Sequence, residues 1–138
     1  RDLMPTLLEM AGVPVPETVE GRSLLGEERR ELLYAEHYED ARATRMVRDE
    51  RFKLIYYPVG NRLQLFDLHE DPDELHDLSA DAQYAEVVAD LSRGMIARFW
   101  GEDEKWVEDG RLVGEPDRPY EPEPNRGLSG QRGWRFMG

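Results

Sequence analysis

MVRDERFKLIYYPVGNRLQLFDLHEDPDELHDLS, Met46 to Ser79, decides the fold through its punctuation. Thr44 to Arg48 and Phe52 to Tyr57 are β-like runs separated by Asp49, Glu50 and Arg51, a polar tight connection. Pro58 ends the second run, because proline has no N–H to give to a ladder. Gly60 and Asn61 supply another turn before a third run, Leu63 to Leu68. Successive strands with short links predict a small antiparallel sheet. Immediately upstream, ELLYAEHYE alternates, with Leu33, Ala35 and His37 on one face and Leu32, Tyr34, Glu36 and Tyr38 on the other. That period of two predicts a further strand.

Beyond Pro72 the period becomes helical. Tyr84, Val87, Val88, Leu91, Met95 and Phe99 form one apolar stripe, interrupted only by Gly94, and this helix is predicted to lie across the sheet. At the other end, Asp2 is placed to cap a short helix with apolar positions Leu3, Met4, Leu7, Leu8 and Ala11, and Pro5 sits in the first turn. Gly12 and Pro14 stop that helix, Val13 to Glu20 reads as an extended connector, and Gly21 to Leu25 as a short docking turn. From Gly101 onward Gly, Pro and charge dominate, yet Trp106, Tyr120, Trp134 and Phe136 remain, which suggests an arm that packs on something. The predicted class is therefore α+β: about four antiparallel strands packed by one long helix, preceded by a short helix and followed by an extended arm.

With 138 residues the chain can hold one domain with a real core. Hydrophobic residues make up 39% and charged residues 35%, and the mean hydropathy is −0.74. The net charge of −12 argues against nucleic acid and anionic membranes as partners, since affinity for phosphate chains comes from clustered Lys and Arg. No stretch approaches the roughly 18 apolar residues of a membrane span, and RDLMPTLLEM is not a signal peptide. A start without Met that enters a helix at once suggests a piece of something longer. The absence of cysteine excludes disulfides, thiolate metal sites and a cysteine nucleophile, and leaves the compartment undetermined.

Three blocks in order carry a family resemblance. Asp2, Pro5, Thr6, Gly12, Gly21, Ser23 and Leu24 resemble the D-x-x-P-T-x-x-x-x-x-G helix and G-x-S-L loop of type I sulfatases. Met46 to Asn61 is similar to that family's following hairpin through Lys53, Leu54 and Ile55, with Phe52 where Tyr is more usual. LFDLHEDPDELHDL is similar to L-Y-D-L-x-x-D-P-x-E-x-x-N-L through Leu65, Asp67, Leu68, Asp71, Pro72, Glu74 and Leu78; Phe66 replaces Tyr and Asp77 replaces Asn. The resemblance covers roughly the first 80 residues and implies the C-terminal portion of an arylsulfatase-like hydrolase of the alkaline phosphatase superfamily. It divides the chain into residues 1–25, the edge of a missing N-terminal domain with its connector, 26–100, the C-terminal subdomain, and 101–138, the Gly/Pro-rich arm.

The chemistry that the resemblance implies is a formylglycine made from C/S-x-P-x-R, with Ca²⁺ holding the sulfate oxygens, both expected in the missing N-terminal domain. None of Ser23, Ser79, Ser92 and Ser129 is followed by x-P-x-R, and no two aspartates are adjacent. The chain is therefore expected to bring no catalytic residue, metal ligand or cofactor of its own, and to be inert alone.

The remaining candidates each carry two readings. Asp67, Glu70, Asp71, Asp73, Glu74 and Asp77 are oxygen-rich enough for Ca²⁺, but lack the EF-hand spacing and read better as a capped turn. His69 and His76 read as solvated surface, whereas His37 either hydrogen-bonds within the sheet or lines a substrate cleft. Arg45, Arg48 and Lys53 form either an anion patch or cross-strand ion pairs with Glu36 or Asp67, the second being favoured in an acidic protein. His37, Arg45 and Arg48 are thus the substrate-cleft candidates. The arm aromatics either stack on sugar rings or pin the arm to its own fold or to a neighbouring subunit, so the arm is also the candidate contact of a homo-oligomer. The functional expectation is a sulfatase C-terminal fragment that completes the fold and flanks the active-site cleft, with the missing N-terminal domain as partner. A phosphonate or phosphodiester hydrolase fragment of the same superfamily, or a stand-alone binding module, is the alternative.

Overall fold

The computed structural model describes residues 1–26, 30–39 and 42–118. Its contacts divide the chain into two units, Arg1–Leu33 and Tyr34–Gly138. In the first unit, α1 spans Leu3–Met10. Gly12, at φ +67°, lets the chain leave the helix: its N–H donates to the Glu9 carbonyl (3.0 Å) and that of Val13 to the Leu8 carbonyl (2.9 Å), a Schellman ending. Asp2 does not cap the helix with its side chain as predicted. Its carboxylate instead accepts from the Arg22 N–H (2.9 Å) and the Arg30 guanidinium (2.6 Å), charge-assisted bonds that draw it away from the helix start. Thr6 donates to the Asp2 carbonyl (2.6 Å) and accepts from the Leu24 N–H (2.9 Å), so the G-R-S-L turn lies on the first helical turn. Gly21 is required there, since a Cβ would stand 2.2 Å from the Arg1 carbonyl oxygen. Leu3, Leu7 and Met10 are 71%, 62% and 69% exposed, and Leu24 and Leu25 are exposed as well.

The second unit is built on a four-stranded sheet of order β1-β2-β3-β4, with β1 Leu33–His37, β2 Thr44–Arg48, β3 Phe52–Tyr57 and β4 Arg62–Asp67. β2, β3 and β4 pair antiparallel, with Val47 opposite Leu54 and Leu54 opposite Leu65. Asp49 closes the first hairpin by accepting from the N–H groups of Arg51 (2.7 Å) and Phe52 (2.6 Å). Asn61, at φ +47°, turns the second and accepts from the Tyr56 hydroxyl (3.0 Å).

Helix α2, Ala85–Ile96, follows a short 3₁₀ turn and packs on β2 and β3 through the buried Leu91 and Met95. It ends before Phe99, the last residue of its predicted stripe; that ring instead stacks on Tyr56 and meets Trp106 edge-on. Because α2 covers β2 and β3, β1 stays exposed along most of its length and its alternation does not become an inside and an outside. Val47, Leu54, Tyr56, Leu65, Met95 and Trp106 are the buried centre.

Residues 101–118, where composition suggests an extended arm, hold regular structure. A 3₁₀ turn over Gly101–Trp106 leads into a ribbon of β5, Val107–Glu108, and β6, Arg111–Leu112. Asp109 and Gly110, both at positive φ, make the two-residue turn that suits such a ribbon. Trp106 drives this folding: it is 2% exposed, and its indole N–H donates to Glu115 (3.0 Å). Glu115 is in turn fixed to the sheet by its backbone bonds with Pro58 (2.8 Å) and Gly60 (2.9 Å). Tyr120, Trp134 and Phe136 lie outside the described residues.

Candidate functional site

A cleft of about 750 Å³ opens in the second unit between the loop after β1 and the 3₁₀ turn after α2. Tyr38, Glu39 and Arg42 form one wall, Trp100, Glu102 and Lys105 the other, and Arg45, Asp103 and Trp106 line it as well. Arg45 and Asp103 are both buried and joined in a two-pronged ion pair, Nε to Oδ2 at 2.5 Å and Nη2 to Oδ1 at 2.7 Å. The remaining Arg45 nitrogen donates to the carbonyls of Tyr38 (3.0 Å) and Thr44 (3.1 Å), and the guanidinium lies 5.1 Å from the centre of the Trp106 ring. Burial works against the Arg45 charge, but the Asp103 carboxylate outweighs it and holds the group above its ordinary pKa. Tyr34 borders the pair, its hydroxyl 3.5 Å from Asp103, and burial together with that negative charge pushes its pKa up.

The pair also supports the wall. Tyr38 adopts φ +55°, a left-handed conformation uncommon for a bulky residue. Its carbonyl is held by Arg45, and Arg42 stacks over its ring at 4.2 Å. The arrangement offers exposed aromatic surface at Trp100 and Tyr38 beside charges of both signs, a lining suited to a polar or charged ligand.

The sequence candidates fall in different places. Arg45 lines the cleft from a buried position, with Asp103 nearer than its expected cross-strand partner Glu36, which stands 3.7 Å from its Nε. His37 lies on exposed β1 with its ring against Tyr38 (4.1 Å between centres), and Arg48 sits at the end of β2, its Nε donating to the Asp49 carbonyl (3.4 Å). Neither is among the residues that line the cleft. Lys53 pairs with Glu74 (2.6 Å), and Asp67 is bound by Arg51 (2.7 Å).

The acidic segment is a set of turn caps. Asp67 accepts from the N–H groups of His69 (3.1 Å) and Glu70 (3.4 Å), Asp71 from that of His76 (2.8 Å), and Asp77 from those of Leu65 (3.0 Å) and Ser79 (2.9 Å). Arg51 outweighs the burial of Asp67 and holds its carboxyl below the usual range. Among the described residues no group of three His, Asp or Glu side chains is disposed to hold a metal.

Sequence reasoning missed Asp103, Trp100 and Tyr38. Asp103 is hidden in GEDEKW, a run that reads as solvated charge; its signal was Trp106, an aromatic in a polar stretch that has to pack somewhere.

Comparison with known proteins adds a family. The profile of the N-sulphoglucosamine sulphohydrolase C-terminal region matches residues 1–99. An arylsulfatase of Clostridium perfringens is 32% identical over 119 residues, which is 82% of this chain and 25% of that protein. A solved structure from Bacteroides thetaiotaomicron, assigned as a sulfatase, superposes with TM-score 0.64 at 30% identity, covering 78% of this chain and 26% of the other. The phosphonate monoester hydrolase of Agrobacterium radiobacter superposes with TM-score 0.55 at 28% identity, over 70% of this chain and 23% of its own. The chain thus spans about a quarter of the length of these relatives.

Proposed function

Because the chain belongs to the N-sulphoglucosamine sulphohydrolase C-terminal family, within the sulfatases of the alkaline phosphatase superfamily, we propose that it is the non-catalytic C-terminal subdomain of a sulfuric ester hydrolase. It completes the fold of that enzyme, and the strand pair β1–β2, which carries His37, Arg45 and Arg48, flanks the active-site cleft. The observation that carries this reading is the apolar face of the first unit. Leu3, Leu7 and Met10 recur at helical spacing and are each largely exposed, as an element docked on a larger domain would be when seen by itself.

Sulfatase chemistry calls for a metal and a formylglycine, and these residues do not fit either group. There is no C/S-x-P-x-R in the sequence, and in the acidic segment the carboxylates of Asp67, Asp71, Glu74 and Asp77 are committed to backbone N–H groups or to Arg51 or Lys53. No catalytic step is therefore assigned to this chain; the nucleophile and metal belong to the partner domain in this reading.

A second reading, a phosphonate monoester hydrolase subdomain, is favoured by the superposition on the Agrobacterium radiobacter enzyme. Sulfuryl and phosphoryl centres share their tetrahedral geometry, and nothing in this cleft separates them. The test is hydrolysis of 4-nitrophenyl sulfate and 4-nitrophenyl phenylphosphonate. The chain alone is expected to give no turnover of either; turnover that saturates and is lost on heat unfolding would overturn the non-catalytic assignment. In the longer hydrolase, the faster of the two substrates distinguishes the two readings.

A further inference from the structure

The cleft wall formed by Trp100, Glu102 and Lys105 lies beyond residues 1–99, the stretch that the family profile matches. What the cleft binds therefore has to be read from its own side chains. Four carboxylates and three cations line it, and their charges nearly balance. Arg45 and Asp103 pair at hydrogen-bond length, 2.5 and 2.7 Å, and make one side a buried, rigid base. At the rim the pairs are looser: Glu36 to Arg45 at 3.7 Å, Glu102 to Lys105 at 3.7 Å and Lys105 to Glu115 at 3.3 Å. A charge-assisted N–H···O bond is about 2.7–2.9 Å long, so these ions offset one another's charge while keeping lone pairs and N–H protons open to a further partner. A dissolved ion meets little net attraction there, and an anion meets a slight excess of carboxylates. A hydroxyl, which donates and accepts at once, fits between such groups.

Trp100 supplies the apolar half of the site. It is 67% exposed, and among the described residues no ring or cation lies against its indole. Its backbone is nevertheless held. Phe99 before it stacks on Tyr56 and meets Trp106 edge-on, and the Trp100 carbonyl accepts from the Asp103 N–H (3.3 Å). An indole presented from an anchored backbone loses little freedom when a ligand covers it. The cleft volume of about 750 Å³ is that of a small-molecule site. A ligand that matches both halves has an apolar face edged by hydroxyls, which is the construction of a pyranose ring.

We propose that the cleft binds an uncharged sugar ring, stacked on Trp100, with hydroxyls donating to Glu36 and Glu102 and accepting from Lys105. Sulfate or carboxylate groups on the ring are disfavoured by the surrounding carboxylates, so the site differs in kind from one that receives a sulfate ester. The inference uses side chains of this unit alone and stands apart from the sulfatase reading.

The test is NMR of the isotope-labelled 138-residue chain titrated with the methyl glycosides of glucose, galactose, mannose, xylose and N-acetylglucosamine. At least one glycoside is expected to move the Trp100 indole signal saturably in the millimolar range, while the Trp106 indole, buried and bonded to Glu115, stays in place. Trp100→Ala should abolish the shifts that the same sugar causes at the Gly101 and Lys105 amides. Glu102→Ala should weaken binding roughly tenfold, as loss of a hydrogen bond to a charged group does. An unchanged Trp106 indole signal checks the fold of both variants. Glucose 6-sulfate and galactose 6-sulfate should bind more weakly than the best neutral glycoside. The proposal is overturned if none of the glycosides moves Trp100 saturably, if the amide shifts survive in Trp100→Ala, or if Glu102→Ala leaves the affinity unchanged. Tighter binding of either 6-sulfate than of every neutral glycoside overturns it too, and would assign the cleft to an anionic sugar.

Discussion

Replacing Asp103 by alanine removes both carboxylate oxygens from Arg45, which stays buried and charged. The guanidinium would keep its bonds to the carbonyls of Tyr38 and Thr44 and only a distant Glu36, 3.7 Å away. Breaking a buried pair from one side costs about 3–5 kcal/mol, because an uncompensated charge remains in a low-dielectric site. Against a total stability of about 5–15 kcal/mol that is a large fraction. At roughly 4 °C or more per kcal/mol for a domain near 100 residues, the melting temperature should fall by about 12 °C or more. Removing the charge with its partner is different: Arg45→Met/Asp103→Leu leaves no orphaned ion and should lie within about 2 kcal/mol of the parent. Urea unfolding of the four members of the cycle, followed by circular dichroism, measures the coupling. A loss below about 1 kcal/mol for Asp103→Ala, or a double variant less stable than either single one, would refute the buried-pair argument.

Acid should act through the capped turn. The Asp67 carboxyl is lowered by Arg51 in the folded state, so its contribution is present above the unfolded value of about 3.9 and is lost as pH falls through the lowered pKa. Asp67→Asn should therefore flatten the acid side of the stability profile, as read from urea midpoints at neutral and acidic pH; an unchanged slope would exclude this group as a source. Met95→Ala, at a fully buried position under the sheet, should cost about 2–5 kcal/mol by thermal melting. Gly114→Ala places a Cβ 2.3 Å from the Pro58 carbonyl at φ +59°, and should loosen the 107–115 ribbon at a cost above about 1 kcal/mol; hydrogen exchange of the Val113 and Glu115 amides reports it.

The sheet was legible because its signals are local. Alternation, Pro58 and the Gly60–Asn61 pair all act within a few residues, and the four strands follow one another in sequence and in space. The helix was legible for the same reason, except at Phe99, where contact with Tyr56 and Trp106 took over from helical period. The Asp2 cap was misread because Arg30, twenty-eight residues away, competes for the same carboxylate. The cleft was hardly legible at all. Arg45 and Asp103 are 58 residues apart, and no periodicity links a strand arginine to one acid among several in a charged run. The acidic segment was read correctly as capped turns, since Asx-type bonds to neighbouring N–H groups depend only on local spacing.

The central claim, that this chain is a subdomain made to dock on a larger hydrolase, is tested most directly by sedimentation velocity combined with binding of the dye ANS. The parent chain is expected to bind the dye and to self-associate through Leu3, Leu7 and Met10, and Leu3→Glu/Leu7→Glu should bind less dye and sediment as a monomer. A parent chain that is monodisperse, monomeric and free of dye binding would contradict the claim and favour an independent binding module.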